Sequence, residues 1–181
     1  MKSIRVGSYT ELTFLGKFYR CVAGVNGFTD RHREGDQSTP TGRFILRECW
    51  YRADRIAAPE TSLKLRTIET DDGWCDAPTD PQYNKHIKLP YAAASHERLW
   101  RDDHIYDIIV PLGYNDNPVV RGLGSAIFFH LATPNYSPTL GCIAVLIPDM
   151  FEILKQCDND TQIIIEPTAR VGKLYRTDQQ S

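Results

Sequence analysis

The apolar residues of this chain occur in short runs separated by glycine and proline, and this pattern limits the possible folds more than any other feature. Such runs, rich in β-branched and aromatic residues, are typical of strands joined by turns. Seven of them predict strands: residues 4–6, 18–22, 44–46, 105–112, 126–129, 142–147 and 161–166. Helical spacing of apolar residues occurs at 150–157, after Pro148 and Asp149. We therefore expect a mainly β protein with few helices, packed as a β-sandwich or a partly closed barrel.

The length of the chain, 181 residues, is that of one domain with its own core. We assign residues 1–167 to this single domain and residues 168–181 to a polar C-terminal tail. Residues 52–101 are polar and contain four prolines, a pattern that favours long loops with one short helix.

Charge and cysteine content exclude several classes of protein. A formal net charge of -2 with interleaved acidic and basic residues favours neither nucleic acid nor an anionic membrane as partner. The first residues lack the apolar run of a secretory signal, so a chain that starts natively at Met1 is expected in the cytoplasm. A native leader upstream would instead direct it to the periplasm. Five cysteines without a Cys-x-x-Cys pair argue against a disulfide framework and a structural zinc site.

His130 and Cys142 form the most informative pair of residues. Each lies at the border of an apolar run, and eleven residues separate them. If the two predicted strands lie side by side, the imidazole comes close to the thiol and can accept its proton or form a thiolate-imidazolium pair. Gly141 has no side chain, so a substrate carbonyl could approach the backbone amides near the cysteine. A buried structural cysteine and a core histidine are the alternatives that these two residues alone leave open.

The segment 139–142, Thr-Leu-Gly-Cys, with a histidine upstream resembles the Ser/Thr-x-Gly-Cys signature of the L,D-transpeptidase catalytic domain, the YkuD-like family. A second similarity lies at residues 39–44, Thr-Pro-Thr-Gly-Arg-Phe, which resemble the Thr-Pro-x-Gly-x-Phe turn of that family. Both motifs occur in the family's order, and the resemblance extends over roughly residues 20–166. It implies the β-rich L,D-transpeptidase fold.

The resemblance also implies residue roles. Cys142 would be the nucleophile and His130 the base, and the backbone carbonyl of Leu131 would orient the imidazole ring. Gly141 matches the family's glycine on the oxyanion side, and Thr139 matches its small hydroxyl residue next to the substrate. The chemistry needs no cofactor and no metal.

The implied substrate is the tetrapeptide stem of peptidoglycan or a soluble muropeptide, cut at the L,D bond before the terminal D-alanine through a thioester. If water accepts the acyl group from the thioester, the enzyme is an L,D-carboxypeptidase of muropeptide recycling, and the lack of a secretory signal favours this expectation. If the amine of a second stem accepts the acyl group, the enzyme is an L,D-transpeptidase that forms crosslinks. Two departures from the family concern substrate and acceptor: Ala144 replaces a common Arg or Asn, and the segment between His130 and Cys142 is short. A silent module that only binds peptidoglycan fragments is the alternative of another class. The oligomeric state stays open.

The polar central region supplies further candidates. Trp74 and Tyr83 could pack on a ligand while Asp76 and Asn84 hydrogen-bond to it, or the loop could simply be held by its tryptophan. Cys75 is the rival nucleophile, but it matches no family motif. A substrate carboxylate could bind one of four arginines, at positions 43, 98, 101 and 121, although the charged run 98–103 has the pattern of a solvated surface.

Overall fold

The computed structural model of the protein describes residues 1–166, and the predicted tail at 168–181 lies outside the described residues. The described chain is mainly β with one α-helix. Its elements in chain order are β1 (Ser3–Val6), β2 (Glu11–Phe14), β3 (Lys17–Val22), β4 (Phe28–Thr29), β5 (Thr39–Pro40), β6 (Gly42–Ile45), β7 (Cys49–Tyr51), β8 (Leu65–Thr67), β9 (Asp72–Cys75), β10 (Lys85–Lys88), β11 (His96–Arg98), β12 (Ile108–Pro111), β13 (Phe128–Leu131), β14 (Ile143–Val145), α1 (Ile147–Gln156) and β15 (Gln162–Ile165). The seven predicted strands and the predicted helix are all present.

Ten strands form one curled sheet in the order β6-β15-β1-β2-β3-β14-β13-β12-β7-β8. Its centre is the pairing of β13 with β12, antiparallel, and with β14, parallel. Alternation along β13 places Phe129 and Leu131 in the main core, and Phe128 in a second apolar cluster on the other face. The expected partly closed barrel is confirmed, and its second face carries the side chains of the site.

Helix α1 covers the main core. Its buried residues are Met150, Ile153 and Leu154, spaced so that they share one face. Pro148 lies in the first turn, where its missing N–H costs no hydrogen bond, and Asp149 in the same turn complements the helix dipole. The helix begins three residues before the predicted start. Within residues 1–166, no helix is both long and apolar enough to cross a bilayer.

The prediction of loops and a short helix for residues 52–101 is wrong. This region contains β8 and a separate three-stranded sheet in the order β10-β9-β11, and it has no helix. The strands escape detection because they are only three or four residues long and mostly polar, as in the Asp-Gly-Trp-Cys of β9. Their order comes from backbone pairing between distant segments, which local apolar periodicity does not encode.

The two motifs that carry the family resemblance meet in space. Gly24, after β3, forms a bridge with Thr139, and its N–H donates to the buried Thr39 hydroxyl at 2.8 Å. A Cβ on Gly141 would lie only 2.9 Å from the Ser38 carbonyl oxygen. The turn that precedes Cys142 is therefore packed against the Thr-Pro turn, about a hundred residues away in sequence.

Candidate active site

A cavity of about 720 Å³ opens between the second face of the large sheet and the three-stranded sheet. Five of the nine predicted site residues line it: Cys142, His130, Leu131, Thr139 and Asp76. A cavity of this size holds a ligand the size of a short peptide.

Cys142 lines the cavity just before β14, and the residue is 8% exposed. Its thiol donates a hydrogen bond to the Ala126 carbonyl at 3.3 Å, and its sulfur accepts one from the Phe128 N–H at 3.3 Å. The hydrogen bond from the S–H group to Ala126 stabilises the neutral thiol. The hydrogen bond from the Phe128 N–H would stabilise a thiolate that forms during a reaction.

His130 lies on β13, next to the strand that follows the cysteine. In the register of β13 and β14 it pairs with Ala144, two residues after Cys142. Its ring packs edge-on against Tyr106 with 5.2 Å between the ring centres, and its Nδ1 lies 2.9 Å from the Leu131 carbonyl oxygen. When Nδ1 carries the proton it donates to this carbonyl, and Nε2 keeps the lone pair that a base requires.

Burial sets the protonation of both groups. The pKa of the Cys142 thiol is raised to about 12, mainly by desolvation and also by the Glu97 carboxylate, while the Phe128 N–H opposes both effects. Desolvation lowers the pKa of His130 to about 4, against the opposing effect of the backbone at Leu131 and Ile105. The ligand-free site therefore holds a neutral thiol, which donates to the Ala126 carbonyl, and a neutral imidazole that lines the same cavity, not a thiolate-imidazolium pair.

Hydrogen bonds hold the turn at residues 139–142. The Thr139 hydroxyl donates to the Cys142 carbonyl at 2.6 Å and accepts from the Gly141 N–H at 3.2 Å. Gly141 has a φ of 135°, a conformation that side chains disfavour. Thr139 thus lines the cavity and also closes the turn that carries the cysteine.

The other predicted residues of the central region lie around the cavity without lining it. Tyr83 is 1% exposed and donates its hydroxyl to Glu34 at 2.5 Å. Asn84 accepts from the indole N–H of Trp74 at 3.0 Å and from the Ala126 N–H at 3.1 Å. Trp74 and Asn84 line a smaller adjoining depression of about 360 Å³. Direct substrate contact by these three stays a prediction, while their internal bonds fix the wall of the cavity.

Cys75, the rival nucleophile, is 0% exposed in the three-stranded sheet. Desolvation raises the pKa of its thiol. It packs in a small apolar cluster with Ala77 and Ile87, and it does not line the large cavity. Its surroundings are those of a structural cysteine.

The sequence analysis did not single out three residues of the cavity wall: Glu34, Glu97 and Tyr106. The Tyr106 hydroxyl donates to Glu97 at 2.5 Å, and the Arg101 guanidinium lies 5.2 Å from the centre of the Tyr106 ring. The charged run 98–103 was expected on a solvated surface, but Leu99 within it is fully buried. The leucine and tryptophan among these charged residues are the sequence feature that indicates a partly buried segment. Of the four candidate arginines, those at 98 and 101 line the cavity, and those at 43 and 121 do not.

Comparison with known proteins agrees with the resemblance. The L,D-transpeptidase catalytic domain matches residues 7–165, most of the chain. No curated protein matches the sequence. Among solved structures, the helical cell shape determining protein Pgp2 of Campylobacter jejuni is similar with a TM-score of 0.44 and 11% identity. The similarity covers 94% of this chain, which spans about half, 49%, of that structure. The chain belongs to the YkuD family of L,D-transpeptidase catalytic domains.

Proposed function

We propose that this protein is a cysteine acyl-transfer enzyme that attacks the L,D bond before the terminal D-alanine of a peptidoglycan tetrapeptide stem. The observation that carries the proposal is that His130, on β13, and Cys142, just before the neighbouring strand β14, line one cavity of peptide size. Family membership supports the same substrate class.

The neutral pair defines the first step. His130 Nε2 accepts the thiol proton as the Cys142 sulfur adds to the substrate carbonyl carbon, so the imidazolium exists only during the reaction. The Leu131 carbonyl accepts from Nδ1–H and stabilises this imidazolium. We assign the oxyanion to the backbone N–H of Cys142, since the Gly141 N–H donates to the Thr139 hydroxyl at 3.2 Å in the ligand-free site.

The second half of the acylation returns the proton. Imidazolium Nε2–H protonates the amine of the departing D-alanine as its C–N bond breaks, which leaves a thioester on Cys142 and a neutral imidazole. The same imidazole then takes a proton from the acceptor. With water as acceptor the product is a tripeptide, the L,D-carboxypeptidase outcome; with the amine of a second stem the product is an L,D-crosslink.

Arg101 is our candidate for the carboxylate of the terminal D-alanine. Its guanidinium lies over Tyr106, close to His130, and bonds to Asp103 at 2.6 Å through Nη2. A planar guanidinium can accept a second carboxylate on its remaining N–H groups. Ala144, beside His130 in the sheet, has no long side chain, so a cation for this carboxylate must come from the opposite wall.

The test is product analysis by mass spectrometry of a defined tetrapeptide incubated with the protein and an excess of amine acceptor, with Cys142→Ala as control. Release of D-alanine by the wild type alone supports the proposal; tripeptide identifies the carboxypeptidase and an exchanged or crosslinked product the transpeptidase. A carbapenem should form a one-to-one adduct on the peptide that carries Cys142. Absence of both product and adduct, with the tetrapeptide still bound, would identify a silent binding module.

A further inference from the structure

The segment 124–126, which leads into β13, has a backbone that must be held by its surroundings. Gly124 has a φ of 97° and Ala126 a φ of 53°, so both residues lie in the left-handed region. Glycine adopts this region freely, whereas alanine keeps it only where neighbouring groups fix the backbone. Ser125 and Ala126 line the large cavity. A strained residue in the wall of a cavity indicates a functional reason for its conformation.

The end of this segment supplies the hydrogen bonds of the nucleophile. The Ala126 carbonyl accepts the S–H of Cys142 at 3.3 Å, and the Phe128 N–H donates to the sulfur at 3.3 Å. Within residues 1–166 the sulfur forms no other hydrogen bond. The position of the sulfur therefore depends on the backbone of residues 126–128.

Tyr83 and Asn84, between β9 and β10, hold the segment 124–126 by its backbone. The Gly124 N–H donates to the Tyr83 hydroxyl oxygen at 3.0 Å, and the Ala126 N–H donates to Asn84 Oδ1 at 3.1 Å. Tyr83 is 1% and Asn84 5% exposed, so the loss of either acceptor would leave a buried N–H without a partner. The conformation of Ala126 is therefore maintained by side chains that lie 41 and 42 residues away from their partners in sequence.

The side-chain amide of Asn84 has no capacity left for a ligand. Its Oδ1 also accepts from the indole N–H of Trp74 at 3.0 Å, and its Nδ2 donates to the carbonyls of Tyr114 and Asn115 at 3.0 and 2.8 Å. Together with the bond from Ala126, these contacts occupy both acceptor positions of the oxygen and both N–H groups of the nitrogen. Asn84 is therefore bound to the protein itself and not to the substrate.

The Tyr83 hydroxyl is occupied in the same way. It donates to Glu34 at 2.5 Å while it accepts from Gly124, and the same Glu34 oxygen accepts from the Ser125 hydroxyl at 2.7 Å. Glu34 and Tyr83 thus hold Gly124 and Ser125, while Asn84 holds Ala126. Each of the three residues of the segment is fixed by a side chain from elsewhere in the fold.

We infer that Tyr83 and Asn84 are positioning residues for the nucleophile: through the segment 124–126 they hold the Ala126 carbonyl and the Phe128 N–H against the Cys142 sulfur. The consequence for catalysis rests on the proposed function. A neutral thiol must lose its proton as it attacks, so the sulfur has to be aligned with both the base and the substrate carbonyl. A small displacement of the segment 126–128 would disturb this alignment without changing the surface that binds the substrate.

The first test is the steady-state kinetics of Asn84→Ala and Tyr83→Phe on the defined tetrapeptide. Asn84→Ala removes the acceptor of the Ala126 N–H, and Tyr83→Phe removes the acceptor of the Gly124 N–H while it keeps the ring. We expect Asn84→Ala to lower kcat about 10- to 100-fold and Tyr83→Phe to lower it several-fold, with KM changed less than about threefold in both. A raised KM with unchanged kcat would identify substrate contact instead and would overturn the inference.

Thr161→Ala is the matched control for a loss of stability. Thr161 is fully buried, and its hydroxyl forms two hydrogen bonds with Asp158. It precedes β15, which three strands separate from β14 in the large sheet. We expect this variant to unfold at lower urea concentration than the wild type and to keep its kcat. An equal fall of kcat in the control would show that destabilisation alone explains the effect, and it would overturn the positioning role.

The infrared S–H stretch of Cys142 tests the positioning without any substrate. It is isolated by subtracting, for each variant, the spectrum of the same protein with Cys142→Ala. Hydrogen bonding lowers the frequency of this stretch, so weakening of the bond to Ala126 should shift the band to higher frequency in Asn84→Ala and leave it unchanged in Thr161→Ala. If the wild type turns over no tetrapeptide, the acyl-transfer function fails, and the band still decides the inference: a shifted band supports it, and an unchanged band overturns it.

Discussion

The protonation of the ligand-free site gives a quantitative prediction for the reactivity of Cys142. Burial raises its pKa from 9.0 to about 12, a stabilisation of the neutral thiol by roughly 4 kcal/mol at 1.36 kcal/mol per pKa unit. The thiolate fraction at pH 8 is then about 10⁻⁴, against roughly 10⁻¹ for the unperturbed thiol. His130, with a pKa of about 4, is neutral at this pH and supplies no positive charge to hold a thiolate.

The assay is alkylation by iodoacetamide between pH 5 and pH 10. Tryptic cleavage after Arg121 and Lys155 isolates a peptide, 122–155, in which Cys142 is the only cysteine, so its modification can be followed separately by mass spectrometry. Because the thiolate is the reactive form, we expect the rate to rise about tenfold per pH unit over the whole range. The slope is the measured quantity, since limited access to the buried sulfur lowers all rates alike.

A plateau in the alkylation rate between pH 5 and pH 8 would refute this reasoning, because it would mean that Cys142 is already a thiolate paired with an imidazolium. His130→Gln is the informative variant. In a neutral pair the removal of the imidazole leaves the pH slope of the free enzyme intact while it abolishes turnover. In an ion pair the removal would convert the plateau into a slope.

Three further predictions concern stability and are measured by urea unfolding. The pKa of His130 is about 4 in the folded protein and 6.5 in an ordinary histidine, so the unfolded chain takes up a proton at higher pH than the folded protein does. The neutral imidazole therefore contributes about 3 kcal/mol to the free energy of unfolding. This contribution is complete above pH 6.5 and is lost as the pH falls towards 4. His130→Gln should remove this part of the acid sensitivity, and an unchanged pH dependence would contradict it. Gly141→Ala should cost about 1–3 kcal/mol because of its φ of 135° and the nearby Ser38 carbonyl, whereas Gly7→Ala, with open space around it, should cost less than about 1 kcal/mol. Asn84→Ala should cost about 2–4 kcal/mol, since it removes internal bonds to Trp74 and three backbone groups; a loss under 1 kcal/mol would show that these bonds are dispensable.

The sequence determined the elements that depend on nearest neighbours along the chain. Apolar runs predicted the seven strands that include β13 and β14, and helical spacing after Pro148 predicted α1. The two family motifs can also be recognised in the sequence, since each is a contiguous segment. Their glycine and hydroxyl residues shape the backbone of the turn in which they lie. These motifs indicate the family, the nucleophile and the base without any tertiary contact.

Tertiary structure alone decided the rest of the candidate site. Glu97 lies in a polar sheet that no periodicity predicts and Asp76 directly follows one of its strands; both reach the cavity because β9 and β11 pair across twenty intervening residues. The protonation of His130 and Cys142 was equally hidden, because a pKa shift of several units comes from desolvation by residues distant in sequence. The local sequence pattern determines which segments become strands. Long-range strand pairing and burial determine which charged groups face each other and the protonation states of the titratable groups.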